Sequence, residues 1–337
     1  MKEIGSEFWN IPIKPSEAKL FPDHVRWYLS GRTALRAVLR DIHGAQTAAL
    51  PRWCCDSMIQ PFIDAGLSVR FYDVNACTGS NPVCVPDLSC DVLLIMDYFG
   101  YTSPAPDLAS FGGVVIRDVT HSILSGKYDD ADYYFGSLRK WCGVWTGGYA
   151  WKRDGVLPHA GKDADAQYIA LRREAMELKL RYMENGGTEA DKSAFLERFG
   201  AAEELLDEGL TEIQAASRRD IDLAAKLDAG FIRKSRRENA EVLRSALKDL
   251  LVFPDMRETD CPMFVPIYVP RGMRNSLRSH LIEQKVYCPV HWPLSPLHDD
   301  KARGMRLYTD CLSLVCDQRY TADDMLTVAK VIHRTVP

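Results

Sequence analysis

Short apolar runs alternate with helix-spaced segments through the first half of the chain. TALRAVLRDI (33–42) carries its apolar residues at helical spacing, and Ser30-Gly31-Arg32 just before it reads as a helix start. AALPRW (48–53) precedes a helix over DSMIQPFIDAG (56–66), and VRFYDV (69–74) reads as a strand. DVLLIMDYFG (91–100), GVVIRDV (113–119), ADYYFGSL (131–138) and GGYAWKR (147–153) follow as further short strands. Near-continuous apolar runs separated by helices predict an α/β fold whose mostly parallel sheet is sandwiched by helices. Ligands in such sheets sit outside the carboxyl ends of strands. Asp118, Ser137 and Lys140 fall at such ends.

From about Asp163 the pattern changes to charged amphipathic helices: DADAQYIALRREAMELKLRYMENGG, then FLERFGAAEELLDEGL and the 221–250 stretch. After Pro254 a short α+β segment follows, with MFVPIYVP (263–270), MRNSLRSHLIEQ (273–284), VYCPVHW (286–292) and LSLVCD (312–317). We therefore expect a large domain over 1–220 and a small C-terminal α+β domain over 221–337. No internal repeat or low-complexity tract interrupts them.

At 337 residues and 46% hydrophobic, the chain can bury a full core. A net charge of −4 with both signs interspersed favours neither nucleic acid nor an anionic membrane, and RKSRREN (233–239) reads as the solvated face of a helix. The ten cysteines are scattered, with Cys54 and Cys55 adjacent and no CxxC or HExxH, so neither a disulfide framework nor a zinc site is expected. They read as reduced thiols packed as small apolar groups in the cytoplasm. MKEIGSEFWN lacks the apolar segment of a secretory leader, and no apolar run reaches 18 residues, so no membrane span is expected.

The candidate chemistry concentrates in GGVVIRDVTHSILSGKYDDADYYFGSLRKWCGVWTGGYAWK (112–152). A lysine and a carboxylate at neighbouring strand ends suit pyridoxal 5'-phosphate (PLP). Lys140 would form a Schiff base with the aldehyde, and Asp118 would keep the pyridine nitrogen protonated so that the ring withdraws electrons. Burial would strip Lys140 of solvation and favour imine formation; an ordinary lysine in a strand-to-loop turn is the other reading. Ser137, three residues before Lys140, can bind a phosphate oxygen, and Gly143, Gly147 and Gly148 let backbone approach a flat ring. Asp118 reads equally as a turn residue, and His121 either contacts the ring hydroxyl or satisfies a loop. Gly31, Arg32 and Thr33 open a helix whose free N–H groups and dipole suit a phosphate, whereas Ser30 alone would make it a plain cap worth about 1 kcal/mol.

In this order the motifs resemble fold-type-I PLP enzymes, and more narrowly the DegT-type sugar aminotransferase family. The matching segments are SGRTAL (30–35), IRDVTHS (116–122), GSLRKWCGVWTGG (136–148), RRENAEVL (236–243), PVHWP (289–293) and DQRYTADDM (317–325). The resemblance implies Lys140 and Asp118 as catalytic residues. Gly31, Arg32, Thr33 and Ser137 would hold the phosphate, and His121 would sit beside the ring hydroxyl. It puts His291 in the substrate pocket, makes Arg319 a candidate for a substrate anion with a surface salt bridge as the alternative, and leaves Tyr98 or Tyr101 bordering the site. It also implies a homodimer.

Three departures stand out. The aromatic that commonly stacks on the cofactor maps to Cys55, with Trp53 two residues away; Arg32 is bulkier than the family's small residue; and GLTEIQAASRRDI (209–221) lacks the Asn-Tyr-Arg segment through which a partner subunit reaches the phosphate. The expected reaction moves an amino group from an amino-acid donor to a keto acceptor, such as a nucleotide-linked keto sugar. A PLP-dependent dehydratase or eliminase, or a non-catalytic binding or regulatory relative, is the alternative.

Overall fold

In the computed structural model all five residues of the strand Val92–Met96 are buried, as an uninterrupted apolar run requires at the centre of a parallel sheet. The structure describes residues 3–14, 19–76, 79–104, 106–126, 128–208 and 212–336. The chain forms two compact units. One holds the residues up to Ser6, Gly44–Asp132 and the chain from Ala229 onward; the other holds Glu7–His43 and Tyr133–Asp228.

In the first unit Val92–Met96 lies between two parallel partners, Thr47–Pro51 and Val114–Asp118, and its register sets Met96 opposite Asp118 and Ile95 opposite Arg117. Ser68–Asn75 continues the sheet in parallel, and Val83–Val85, a strand too short to leave a sequence signal, closes it in antiparallel. The C-terminal part of this unit pairs Phe264–Tyr268 with Cys311–Val315 in antiparallel. The helices Ala229–Ala246, Arg274–Glu283 and Ala322–Thr335 cover that pair, burying Leu243, Ile267, Leu277, Leu314 and Ile332 together. The RRENAEVL segment is tied in by buried polar side chains. Arg236 donates to the Met263 carbonyl (2.8 Å), and Asn239 donates to the carbonyls of Asp317 and Tyr320 (3.0 Å each). These satisfy backbone acceptors that would otherwise be buried unpaired.

In the second unit Tyr133–Ser137 and Gly148–Lys152 form an antiparallel pair extended by Arg26–Tyr28, and the helix Gly31–Asp41 packs on them. The helical stretch after Asp163 is a hairpin of two 20-residue helices, Ala166–Asn185 and Glu189–Glu208. Gly186, at φ 65°, ends the first in the left-handed conformation that glycine adopts without cost. Among the described residues no helix is long and apolar enough to cross a membrane, and no group of three or more His, Cys, Asp or Glu could hold a metal ion. All nine described cysteines are free thiols, and burial pushes those of Cys288, Cys311 and Cys316 up to about 12.

Candidate active site

The residues expected at the site are divided between the units: Asp118 and His121 belong to the first, Lys140, Ser137 and the Gly31 turn to the second.

Asp118 closes the buried strand Val114–Asp118 and is itself 4% exposed. Its carboxylate accepts the Thr120 N–H at 2.7 Å. Burial nevertheless pushes the carboxyl up to about 6, against the opposing pull of the Thr120 hydrogen bonds and with a small like-charge push from Asp97. No ion pair with a described residue offsets the cost. Three residues on, the buried His121 accepts the Phe99 N–H at Nδ1 (3.3 Å), so the proton of its neutral ring sits on Nε2. The imidazole stacks on Trp292 (5.8 Å between centroids, 15°) and lies 5.0 Å from Phe99. His291 comes to the same aromatic cluster, 6.2 Å from His121, with Nδ1 2.9 Å from the Ser313 hydroxyl and its carbonyl accepting Trp53 Nε1–H at 3.0 Å. Trp292 was not singled out in the sequence, although it directly follows His291 in PVHWP.

The other candidates of this unit have partners of their own. Cys55 is the half-buried N-cap of Asp56–Asp64, its sulfur 3.0 Å from the Ser57 hydroxyl. Trp53 is fully buried and stacks on Tyr98 (4.6 Å, 18°), whose hydroxyl donates to the Trp53 carbonyl at 2.7 Å. Tyr101 stacks on Phe253 (5.0 Å, 14°). Both tyrosines line a cleft of about 460 Å³ with Asp97, Arg117 and Tyr128. Arg117 and Asp118 are consecutive in one strand, so their side chains leave it on opposite faces. Arg319 donates twice to Asp317 (2.9 and 2.7 Å) and once to the Ser6 carbonyl (3.1 Å). Its guanidinium is committed to that ion pair, which is buried rather than the surface salt bridge that the sequence left open.

In the second unit Ser30 caps the helix Gly31–Asp41: its hydroxyl accepts the Thr33 N–H at 3.2 Å and lies 3.0 Å from the Thr33 hydroxyl. A Cβ on Gly31 would stand 3.1 Å from the Cβ of Ser137, and one on Gly148 only 1.9 Å from the Ser30 carbonyl oxygen. Glycine at both positions lets the turn close onto two strands. The hydroxyls of Ser30 and Thr33 thus lie at a helix N-terminus, with the Cβ of Ser137 against its first residue. The Arg32 side chain points away from this use: it donates to the Leu206 carbonyl (2.6 Å) and to Asp207 (2.7 Å). Only its backbone N–H remains for an anion at the turn.

Lys140 ends the three-residue turn Leu138–Lys140 and is exposed, whereas Leu138 and Arg139 are buried. The expectation of a desolvated lysine is therefore corrected: at the end of so short a turn the Lys140 side chain stays exposed. Arg139, unremarked in the sequence, donates to the Tyr168 hydroxyl (2.5 Å) and pairs with Glu203.

No family model matches the chain, and no curated protein matches it in sequence. Solved structures do match. Helicobacter pylori PseC, an aminotransferase involved in the biosynthesis of pseudoaminic acid, is 13% identical over 98% of this chain and 99% of its own, with a TM-score of 0.61. A DegT DnrJ EryC1 StrS aminotransferase from Brucella abortus is 16% identical over 93% of this chain and 86% of its own, with a TM-score of 0.59. S. venezuelae DesV, captured with a ketimine intermediate, is 16% identical over 93% of this chain and 84% of its own, with a TM-score of 0.58. The chain has the α/β fold of these aminotransferases.

Proposed function

We propose that the chain is a PLP-dependent aminotransferase of the DegT type, taking an amino group from an amino-acid donor to a keto sugar. The observation that carries the reading is Asp118, a strand-end carboxylate kept buried at a cost with no counter-cation among the described residues. A pyridinium N–H is the partner such a group fits. His121 offers Nε2–H to a ring oxygen, and its imidazole is held in plane by Trp292 and Phe99. In the other unit the hydroxyls of Ser30, Thr33 and Ser137 and the N–H groups of Gly31 and Arg32 suit a phosphate, and Lys140 supplies the primary amine.

When bound, the cofactor supplies an aldehyde and an electron-withdrawing ring. The protein's own part is to hold, orient and move protons. Asp118 would hold a proton at the ring nitrogen. Lys140 would supply the amine that anchors the group and, at Nζ, would hold or move a proton as base and acid. The aromatic cluster of Phe99, Trp292 and His291 excludes water from the His121 side. In this reading residues 1–220 carry the cofactor, 221–337 form the smaller domain, and the protein works as a cytoplasmic homodimer.

Titrating the protein with PLP tests the reading. An absorbance band near about 400–430 nm is expected, lost in Lys140→Ala, together with conversion to the amine form of the cofactor by at least one amino donor. A protein that stays colourless in excess PLP refutes it.

A further inference from the structure

We propose that one face of the hairpin helix Glu189–Glu208 clamps both the Lys140 turn and the phosphate-facing turn, with Glu203 as the positioning residue for Lys140. This rests on reading Lys140 as the cofactor anchor. Lysine has a flexible four-carbon stem, and an exposed lysine at the end of a short turn gains no packing that fixes it. What fixes the turn is its neighbour. Arg139 is buried, and its guanidinium is held by the Tyr168 hydroxyl and by Glu203.

Glu203 serves a second cation as well: it lies 3.7 Å from Arg172, which is 1% exposed and donates to Glu7 at 3.2 and 3.3 Å. Lys179, also 1% exposed, donates to the Glu7 carbonyl (2.6 Å) and lies over the ring of Trp9 at 5.0 Å. Three buried cations therefore share two carboxylates, and the Lys140 ammonium adds a fourth charge that both carboxylates feel. Among the described residues, Nε of Arg139 and of Arg172 meets no acceptor. Burial alone would raise the Glu203 carboxyl; Arg139, with Lys140 and Arg172 behind it, outweighs that and holds the group below its ordinary range. Without the Glu203 charge, Arg139 becomes a buried cation that keeps the Tyr168 hydroxyl and the Glu7 charge but has lost its paired carboxylate. Such a group is driven toward water, and the turn carrying Lys140 would move with it.

The same helix face reaches the other turn. Leu206 and Asp207 stand three and four residues after Glu203, the spacing that puts side chains on one helical face. They receive the Arg32 guanidinium from the first turn of Gly31–Asp41. One rigid element thus sets the position of the amine and of the phosphate-facing N–H groups together.

Hydrogen exchange in cofactor-free protein reads the clamp directly. The turn is marked by Leu138 N–H to the Gly147 carbonyl (2.8 Å) and Trp141 N–H to the Leu138 carbonyl (2.9 Å). In Glu203→Gln these amides should exchange about tenfold faster, while amides of the Thr47–Pro51 strand keep their rates. Glu203→Asp should restore most of the protection, and the exposed neighbour change Glu204→Gln should have no effect. Borohydride reduction after adding PLP, followed by peptide mass analysis, should then show about tenfold less adduct at Lys140 in Glu203→Gln at limiting PLP. Should Glu203→Gln not fold, Asp207→Asn, which breaks the surface-exposed Arg32 contact, carries the same test at the phosphate-facing turn. Unchanged exchange overturns the clamp, and faster exchange with undiminished Lys140 labelling overturns the positioning role. A wild-type protein with no adduct at Lys140 fails the cofactor reading instead, and the exchange result still decides the clamp.

Discussion

Replacing Asp118 by Asn separates the energetic cost of that carboxylate from its use. The folded protein holds the carboxyl at about 6, against an ordinary 3.8. A raised folded-state value means that the proton is bound more tightly in the folded chain than in the unfolded one. The stability this contributes is complete below the unfolded value and disappears as pH rises through about 6. Two pH units correspond to about 3 kcal/mol, and at 4% exposure solvent screening takes little away. Asparagine has nearly the same shape, can accept the Thr120 N–H through its amide oxygen, and carries no charge. Cofactor-free Asp118→Asn should therefore be more stable than the parent protein at pH 8 by up to about 3 kcal/mol, or about 4 °C in melting temperature for a chain of this length. The two should converge below pH 4. Thermal unfolding of both proteins from pH 4 to pH 8 measures this. Added PLP should raise the melting temperature of the parent and not of the variant. A variant less stable than the parent at pH 8, or a difference that does not change with pH, refutes the account of an uncompensated buried charge.

Two further outcomes follow from the second unit. Gly148→Ala places a Cβ 1.9 Å from the Ser30 carbonyl oxygen, a backbone atom that cannot swing aside. It should cost about 3 kcal/mol or more in urea unfolding, and a midpoint equal to that of the parent would contradict the close approach. Glu7 is held down to about 2: burial would raise it, but Arg172 and then Arg139 outweigh that. Its stabilising contribution is present above an ordinary carboxylate value near 4.5 and is lost as pH falls through about 2. Because 38% of the side chain is exposed, screening reduces that contribution to about 1 kcal/mol. Glu7→Gln should therefore destabilise the protein by about that amount at pH 7 and progressively less below pH 4, as followed by circular dichroism.

The strand ends were legible because the signal there is local. A run as apolar as Val114–Ile116 must be buried, its register is fixed by equally apolar neighbours, and a charge at its end marks where the sheet stops. Ser30 was legible for a similar reason, since a hydroxyl before a helix-spaced stretch has a single common use. Arg319 was ambiguous only until its own neighbour Asp317 was placed, and the Lys140 turn is too short to have a period. The charged helices were the hardest to read. RREAMELKLRY looks like a solvated face, yet the buried positions of Ala166–Asn185 are Tyr168, Arg172, Ala175, Met176, Lys179 and Tyr182, which fall on the one face that a helix–helix seam requires. Two cations occupy seam positions that a hydrophobicity pattern assigns to solvent. They can do so because Glu7, 165 residues before Arg172, brings a carboxylate and a carbonyl to meet them. No window along the sequence contains both partners. That charge network spans Glu7, the Arg139 turn and the hairpin, so its meaning was set by distant residues that the fold alone brings together.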